Sequence, residues 1–324
     1  MTCTNLVVSQ ASVADLWDLE TIGIRDPAEA KTKEENDREA KENFLQTITR
    51  NEDGRYVVSL PWLGSEQDIP NNKTTAEKRL VNATNKLSES NFTLYDGIMS
   101  DWMREGFIEE VSDADKKNLC YYLPHRPVFK PDSLTTPVRP VFDASCKTGR
   151  APSLNESLEK GPNLMELIPS ILLRFREKKI GAISDIRKAL QMIEVKEEDR
   201  DFLRFLWWED ATQEKLKEFR HKRVVFGVNC SPFILAAVLE KHLKSVNEEL
   251  QPVARKLLWS LYVDNCVTSL DTFKESCGAQ SLSPSNPREM FFGRLPPLVT
   301  TNYGIYNIFD TGTLNLGLGT HNDK

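Results

Sequence analysis

The chain has 324 residues, of which 28% are charged and 40% hydrophobic, and its formal net charge is −6. This composition is typical of a globular protein of one or two domains, and it excludes wholesale disorder and a uniformly basic coat for nucleic acid. No run of about 18 apolar residues predicts a transmembrane helix. Six scattered cysteines and an N-terminus without a signal-peptide pattern favour reduced thiols in an intracellular compartment, cytoplasmic or nuclear.

The N-terminal region predicts a charged leader followed by helical structure. Residues 1–60 form this leader, which contains a surface helix over 28–49 and the beginning of a strand over 55–62. Next, Thr74 and Glu77 have the spacing of a capping box, which predicts that a helix begins there. Three further helices are predicted, over 93–105, 163–179 and 231–246.

Residues 121–145 differ from the preceding region because they combine short extended pieces with five prolines. They predict a hairpin with its tip at 132–136. This hairpin lies in a locally basic region, since residues 121–190 carry a net charge of about +5 although the whole chain is acidic. Later strands are predicted over 180–184, 203–208 and 223–226, with a final hairpin formed by 257–262 and 266–269.

Two aspartates follow apolar strands, a position where catalytic groups often lie. Asp185 follows the strand over 180–184, and Asp264 lies in the tight turn of the last predicted hairpin. Carboxylates that meet at adjacent strand ends provide the hard oxygen ligands that Mg²⁺ prefers. Two such ions can polarise an attacking 3′-hydroxyl and stabilise a leaving pyrophosphate. The alternative is structural: Asp185 caps the following segment and Asp264 only makes a turn.

The order of three segments resembles motifs A, B and C of the reverse-transcriptase palm. A strand that ends at Asp185 is followed by the helix-opening string Gly227-Val-Asn-Cys-Ser-Pro232 and then by Tyr262-Val-Asp264. Upstream, Lys130 and Arg139 flank the predicted hairpin tip, which resembles the fingers hairpin that holds the triphosphate of an incoming nucleotide.

Five strings over about residues 12–272 resemble the polymerase region of BEL/Pao-type LTR retrotransposons. They are Gly54-Arg-Tyr-Val-Val-Ser-Leu-Pro-Trp62, His125-Arg-Pro-Val-Phe-Lys130, Ser153-Leu-Asn-Glu-Ser-Leu158, Gly161-Pro-Asn-Leu164 and Tyr262-Val-Asp-Asn-Cys266. The resemblance implies an α+β fold with reverse-transcriptase-like fingers and palm over 61–272, in which helices back an antiparallel palm sheet. It also implies an RNA-directed DNA polymerase. Its partners would be an RNA or DNA template-primer, dNTP and other products of the same polyprotein, and its cofactors two Mg²⁺ ions, with Mn²⁺ as the alternative.

The resemblance assigns roles to the matching residues. Asp185 and Asp264 become the catalytic metal ligands, and the backbone carbonyl of Ile186 supplies a third oxygen. Lys130 and Arg139 bind the nucleotide phosphates, the guanidinium through paired contacts and the ammonium as a point charge. Without the resemblance, both cations could equally be solvated surface charges.

Three further positions concern the nucleotide and the turn. Gly227 lets the template or the incoming base approach the backbone closely, or else forms only a strand-end turn. Leu190 stands where reverse transcriptases usually carry an aromatic side chain that excludes the ribose 2′-hydroxyl, so we expect weaker rejection of ribonucleotides. Asn265 replaces the usual second aspartate of the turn and offers an uncharged oxygen, so we expect it to be a weak metal ligand.

The resemblance stops after residue 272. Residues 273–324 predict a divergent, poorly ordered tail, and the thumb, connection and RNase H that the family expects do not follow. We therefore expect a truncated polymerase with weak or absent processive synthesis. One alternative is a catalytically inactive nucleic-acid-binding remnant that stacks bases on Tyr122 or Phe129. Another is an unselected product that folds poorly.

Overall fold

The computed structural model describes residues 33–64, 69–130, 137–164, 167–186, 188–271 and 301–307, so the predicted hairpin tip and most of the predicted tail lie outside it. The helices are α1 (Lys33–Thr47), α2 (Lys73–Thr84), α3 (Glu89–Arg104), α4 (Leu154–Ser157), α5 (Ile168–Phe175), α6 (Glu197–Arg200), α7 (Ser231–Lys244) and α8 (Gln251–Leu258). The strands are β1 (Thr49–Arg50), β2 (Tyr56–Val58), β3 (Ile108–Glu110), β4 (His125–Phe129), β5 (Val138–Phe142), β6 (Ile180–Ile186), β7 (Glu194–Val195), β8 (Arg204–Trp208), β9 (Leu216–His221), β10 (Leu261–Tyr262), β11 (Asn265–Leu270) and β12 (Thr301–Asn307).

The described strands form small sheets that are mainly antiparallel. Their strand orders are β1-β2-β7, β3-β9-β8, β4-β5 and β10-β11-β6-β12. Only β2 and β7 pair in parallel among them. The expected α+β class with antiparallel sheets is therefore confirmed at this level. In the four-stranded sheet, β6 lies between β11 and β12, and β12 falls within the segment predicted as a divergent tail.

The predicted helices are present with different ends, and the predicted capping box is wrong. Helix α2 begins at Lys73 after Asn72, and the Asn72 side chain makes no cap bond. Instead, this buried amide exchanges two hydrogen bonds of 2.7 Å with the backbone of Tyr122. A tertiary contact has thus replaced the local cap. In the part of the chain that the structure describes, no helix is long and apolar enough to cross a membrane.

The strand predicted over 223–226 is wrong, because the chain forms β9 at Leu216–His221 instead. Strand β9 contains several charged residues, so its sequence lacks the alternation of apolar residues from which strands are predicted. Arg220 is buried, and its guanidinium binds Glu109 at 2.7 Å and Asp201 at 3.0 Å. The neighbouring Arg204 is fully buried and binds the same Asp201 oxygen at 2.9 Å. Ion pairs with distant residues therefore compensate the burial of these strand cations.

Two histidines lie in an aromatic core between β4, β8 and β9. The Nε2–H group of His125 donates to the carbonyl of Leu206 at 2.9 Å, and its Nδ1 accepts from the Tyr95 hydroxyl at 2.5 Å. His221 lies with its ring centroid 4.6 Å from that of Phe142. Burial lowers the pKa of His125 to about 4 and the pKa of His221 to about 3. Both rings are therefore neutral in the folded protein at neutral pH.

These buried histidines predict that acid destabilises the folded protein at pH values above those at which ordinary carboxylates titrate. An unfolded histidine takes up a proton near pH 6.5, whereas the folded ones stay neutral to about pH 4 or below. The unfolded state thus binds more protons as the pH falls, and each histidine should lower the free energy of unfolding by about 2 kcal/mol between pH 7 and pH 5. Urea denaturation at both pH values measures this difference.

A matched variant separates one histidine from the other. His221→Phe keeps an aromatic ring in the cluster and removes a buried Nε2 that has no hydrogen-bond partner. We expect the loss of stability between pH 7 and pH 5 to shrink by about 2 kcal/mol in this variant. An unchanged pH dependence would show that His221 is not neutral in the folded state.

Candidate functional site

The end of the four-stranded sheet brings the two predicted catalytic aspartates into one place. In the β6–β11 ladder, the Cα of Asp185 is the partner of the Cα of Asn265. Asp264 precedes Asn265 in the turn between β10 and β11, and its carbonyl accepts a 2.7 Å hydrogen bond from the backbone N–H of Ile186. Residues that are far apart in the sequence are thus neighbours at this sheet end, while their binding of metal stays a prediction.

The turn that carries Asp264 has a strained backbone. Tyr262 pairs with Asn265, so Val263 and Asp264 form a two-residue turn, shorter than the one predicted. Val263 has a φ of +58°, a conformation that costs a β-branched residue about 1–2 kcal/mol. The Asn265 side chain donates from Nδ2 to Oδ1 of Asp264 at 2.9 Å. Asn265 therefore holds the Asp264 carboxylate as a donor, and its role as a weak metal ligand stays a prediction.

The chemistry of this sheet end suits a hard divalent cation. Asp264 is half-buried and carries a carboxylate, whose oxygens are ligands of the kind that Mg²⁺ prefers. The described side chains do not include that of Asp185, and they contain no group of three or more His, Cys, Asp or Glu that could hold a metal. The fit to a metal therefore rests on Asp264 and on the position of Asp185 in the register.

The predicted hairpin with Lys130 and Arg139 is confirmed as β4 and β5. Val128 is the partner of Arg139, and the N–H of Lys130 donates to the carbonyl of Pro137 at 2.7 Å, which extends the pairing by one residue. Side chains alternate between the faces of a strand, so Lys130 and Arg139 share a face. Both are exposed, whereas the opposite face carries the buried side chains His125, Val138 and Phe142.

A third cation on this face was missed by the sequence analysis. Arg126 is exposed and pairs with Val141, so it lies two positions before Val128 on the side of Lys130 and Arg139. We call Arg126, Val128, Lys130, Arg139 and Val141 the outer hairpin face. The alternation of charged Arg126 and Lys130 with residues of the buried face was the signal that could have identified it.

Gly227 is required by contacts within the chain itself. Its φ is +104°, and a Cβ atom added there would lie 2.2 Å from the carbonyl oxygen of Phe142 at the end of β5. Only glycine tolerates both the conformation and this close approach. The loop before α7 therefore lies directly against the base of the hairpin, and a contact of Gly227 with template or base stays a prediction.

Asn155 in α4 connects this loop to the hairpin, a role that the sequence analysis did not assign. Its side chain donates to the Ser145 hydroxyl at 2.8 Å and to the carbonyl of Gly227 at 3.3 Å. Its Oδ1 accepts from the backbone N–H of Asn229 at 2.8 Å, and its carbonyl accepts from the Asn229 side chain at 2.6 Å. A single amide thus positions three segments around the hairpin base.

The remaining predicted residues have different surroundings. Leu190 is buried in the main core. A contact between its side chain and a ribose stays a prediction. Tyr122 cannot stack on a base, because it is 2% exposed and its hydroxyl donates to Glu218 at 2.5 Å; that prediction is wrong. Phe129 is half-buried against the core. By contrast, Phe226 is 57% exposed beside Gly227, and it is an aromatic side chain that a base could reach.

Comparison with known proteins gives a likeness in structure but none in sequence families. No protein-family model and no curated protein matches the chain. Among solved structures, the chain is similar to the foamy viral protease-reverse transcriptase in complex with an RNA/DNA hybrid, with a TM-score of 0.46 and 13% sequence identity. The likeness covers 80% of this chain but only 32% of the viral protein, so the chain spans about a third of that protein's length. It concerns the course of the backbone, and no residue role is carried over from it.

The contact between Gly227 and β5 predicts a large cost for any side chain at this position. Gly227→Ala should lower the free energy of unfolding by at least about 2 kcal/mol, because it adds strain at a positive φ to a clash with backbone. Chemical denaturation measures the change. Gly97→Ala is the matched control, because Gly97 lies in α3 with open space around its Cβ position, and we expect a gain of about 0.5–1 kcal/mol there. Equal effects at both sites would contradict the close approach.

Proposed function

We propose that the chain is the fingers and palm segment of an RNA-directed DNA polymerase of the BEL/Pao retrotransposon type. The reaction is transfer of a nucleotide from dNTP to the 3′-hydroxyl of a primer. The register of β6 and β11, which places Asp185 beside Asp264, is the single observation that supports this proposal most directly. The order of the Asp185, Gly227 and Asp264 segments along the chain supports it further.

In this proposal the chain's residues bind and orient the reactants. Asp185, Asp264 and the carbonyl of Ile186 hold two divalent cations, Mg²⁺ or Mn²⁺. When bound, the cations supply positive charge beside the attacking hydroxyl and the leaving pyrophosphate. Lys130 and Arg139 hold the triphosphate from the outer hairpin face, on which both are exposed.

A second candidate function is binding of a template-primer without catalysis. The outer hairpin face presents three exposed cations, and Phe226 presents an exposed ring beside Gly227. Cations that follow a backbone together with an aromatic that stacks on bases are sufficient for single-stranded nucleic-acid binding. This function needs Arg126, Lys130 and Arg139 but not Asp185 or Asp264.

Single-nucleotide primer extension on an RNA template tests the catalytic proposal. We expect Mg²⁺-dependent incorporation by the wild-type chain and a loss of at least about 100-fold in both Asp185→Asn and Asp264→Asn, because each variant removes a charged ligand. Asp271→Asn is the control, since Asp271 is exposed at the end of β11 and bonds to Lys178 at 2.5 Å. It should retain wild-type incorporation.

The same assay separates the two candidate functions. Incorporation that is equal in wild type and Asp185→Asn would refute the assigned catalytic residues. Salt-sensitive binding of template-primer without incorporation by the wild type would favour the non-catalytic function.

The outer hairpin face predicts the salt dependence of nucleic-acid binding. If Arg126 contacts a phosphate, Arg126→Gln should reduce the slope of log affinity against log salt by about 0.7 to 0.9, because one counterion fewer is released. Fluorescence anisotropy with a labelled single strand measures the slope. Arg104→Gln, which removes an equal charge from an exposed arginine that binds Asp101, should leave it unchanged. Equal slopes in wild type and Arg126→Gln would remove Arg126 from the interface.

A further inference from the structure

The outer side of α5 carries a group of large exposed apolar side chains. Ile168, Leu172 and Leu173 are each more than half exposed, and so is Leu167 immediately before the helix. Single exposed apolar residues are common on soluble proteins, but contiguous groups mark sites of interaction. Four neighbouring aliphatic side chains therefore indicate a surface that another molecule covers.

The orientation of α5 is determined by its other side. Ile171 is buried, the helix contacts β11, and the Ser269 hydroxyl of β11 donates to the carbonyl of Arg174 at 2.5 Å. Ile168 and Leu172 are one helical turn apart and so lie on the same exposed side. The helix cannot turn these two side chains inward without giving up the contacts of Ile171 and Arg174.

The C-terminal end of α8 extends this apolar area. Trp259 is 62% exposed, and the Arg174 guanidinium lies 6.0 Å from the centre of its ring, so the ends of α5 and α8 are adjacent. Arg255 is exposed four residues before Trp259, which places it one turn away. We call Ile168, Leu172, Leu173, Arg255 and Trp259 the α5–α8 surface.

The charges at the border of this surface restrict what can cover it. Arg176 and Lys179 are exposed just after α5 and, with Arg255, outnumber the exposed acidic residues of this border, Glu177 and Asp271. A second copy of the chain would bring like charges together, which is unfavourable. Nucleic acid would find one aromatic ring and several aliphatic side chains, and bases stack on the former only. The combination of an aliphatic centre with a basic border fits an amphipathic helix that has one apolar side and acidic residues beside it.

We propose that the α5–α8 surface is the docking site for an acidic amphipathic helix of another protein. The leucines of the surface receive the apolar side of that helix, and its carboxylates face Arg176, Lys179 and Arg255. This interaction is independent of the proposed polymerase function, since it uses none of the residues assigned to nucleotide or metal.

A designed peptide tests the docking site. The probe is a fluorescein-labelled 18-residue helix with leucine at positions i, i+3, i+4 and i+7 of each repeat and glutamate elsewhere, and anisotropy reports its binding to the full chain. We expect binding that weakens at least tenfold in Leu173→Glu and in Arg255→Glu. Leu94→Glu is the control, because Leu94 is 51% exposed on α3 outside this surface, and it should bind as wild type does. Thermal melting verifies that all variants are folded.

Four results would overturn the proposal. The first is equal binding of the peptide to wild type and Leu173→Glu. The second is equal binding of a peptide in which lysine replaces every glutamate. The third is a dimer in sedimentation experiments that Leu173→Glu dissociates, which would make a second copy the occupant. The fourth is flotation with phosphatidylserine vesicles that Leu173→Glu abolishes, which would make a membrane surface the occupant. Asp185→Asn should bind the peptide as wild type does, so that failure of the polymerase proposal leaves this test intact.

Discussion

Antiparallel pairing between β6 and β11 is the constraint on which the candidate site depends. Six Cα pairs align Ile180–Asp185 with Asn265–Leu270, and the hydrogen bond from Ile186 to Asp264 continues the alignment into the turn. A slip of one residue would move every side chain of a strand to the opposite face of the sheet. The neighbourhood of the two aspartates is therefore a property of the whole ladder, and mutations anywhere along it can disturb the site.

The β4–β5 hairpin, which carries the exposed cations, is held in place by hydrogen-bonded polar groups on its buried side and at its base. The hairpin is anchored by its own His125, whose two ring nitrogens are both hydrogen-bonded inside an aromatic core. Its base is joined through Asn155 to the loop that contains Gly227. Side chains that must hold a charged ligand gain precision when rigid, fully bonded neighbours support them. The outer hairpin face is positioned in this way, with Arg126 beside Lys130 and Arg139.

Sequence reasoning succeeded where the pattern was local and failed where distant partners decided. The proline-rich hairpin and the helix that begins at Ser231 were predicted because turn residues and periodicity act within a few positions. Strand β9 and the short helix α8 were missed, the first because its buried Arg220 is compensated by Glu109 and Asp201, residues from other parts of the chain. Tyr122 was assigned to a surface that it does not reach, because nothing local indicates its bond to Glu218.

The amino-acid sequence alone thus predicted an α+β protein, a hairpin whose tip is flanked by cations, and two aspartates after apolar strands. Folding alone decided that Asp185 lies opposite Asn265, that Phe142 demands a glycine at position 227, and that the leucines of α5 face outward. The reason is physical. Propensities and periodicity describe interactions over a few residues, whereas register and burial depend on contacts between segments that only the folded chain brings together.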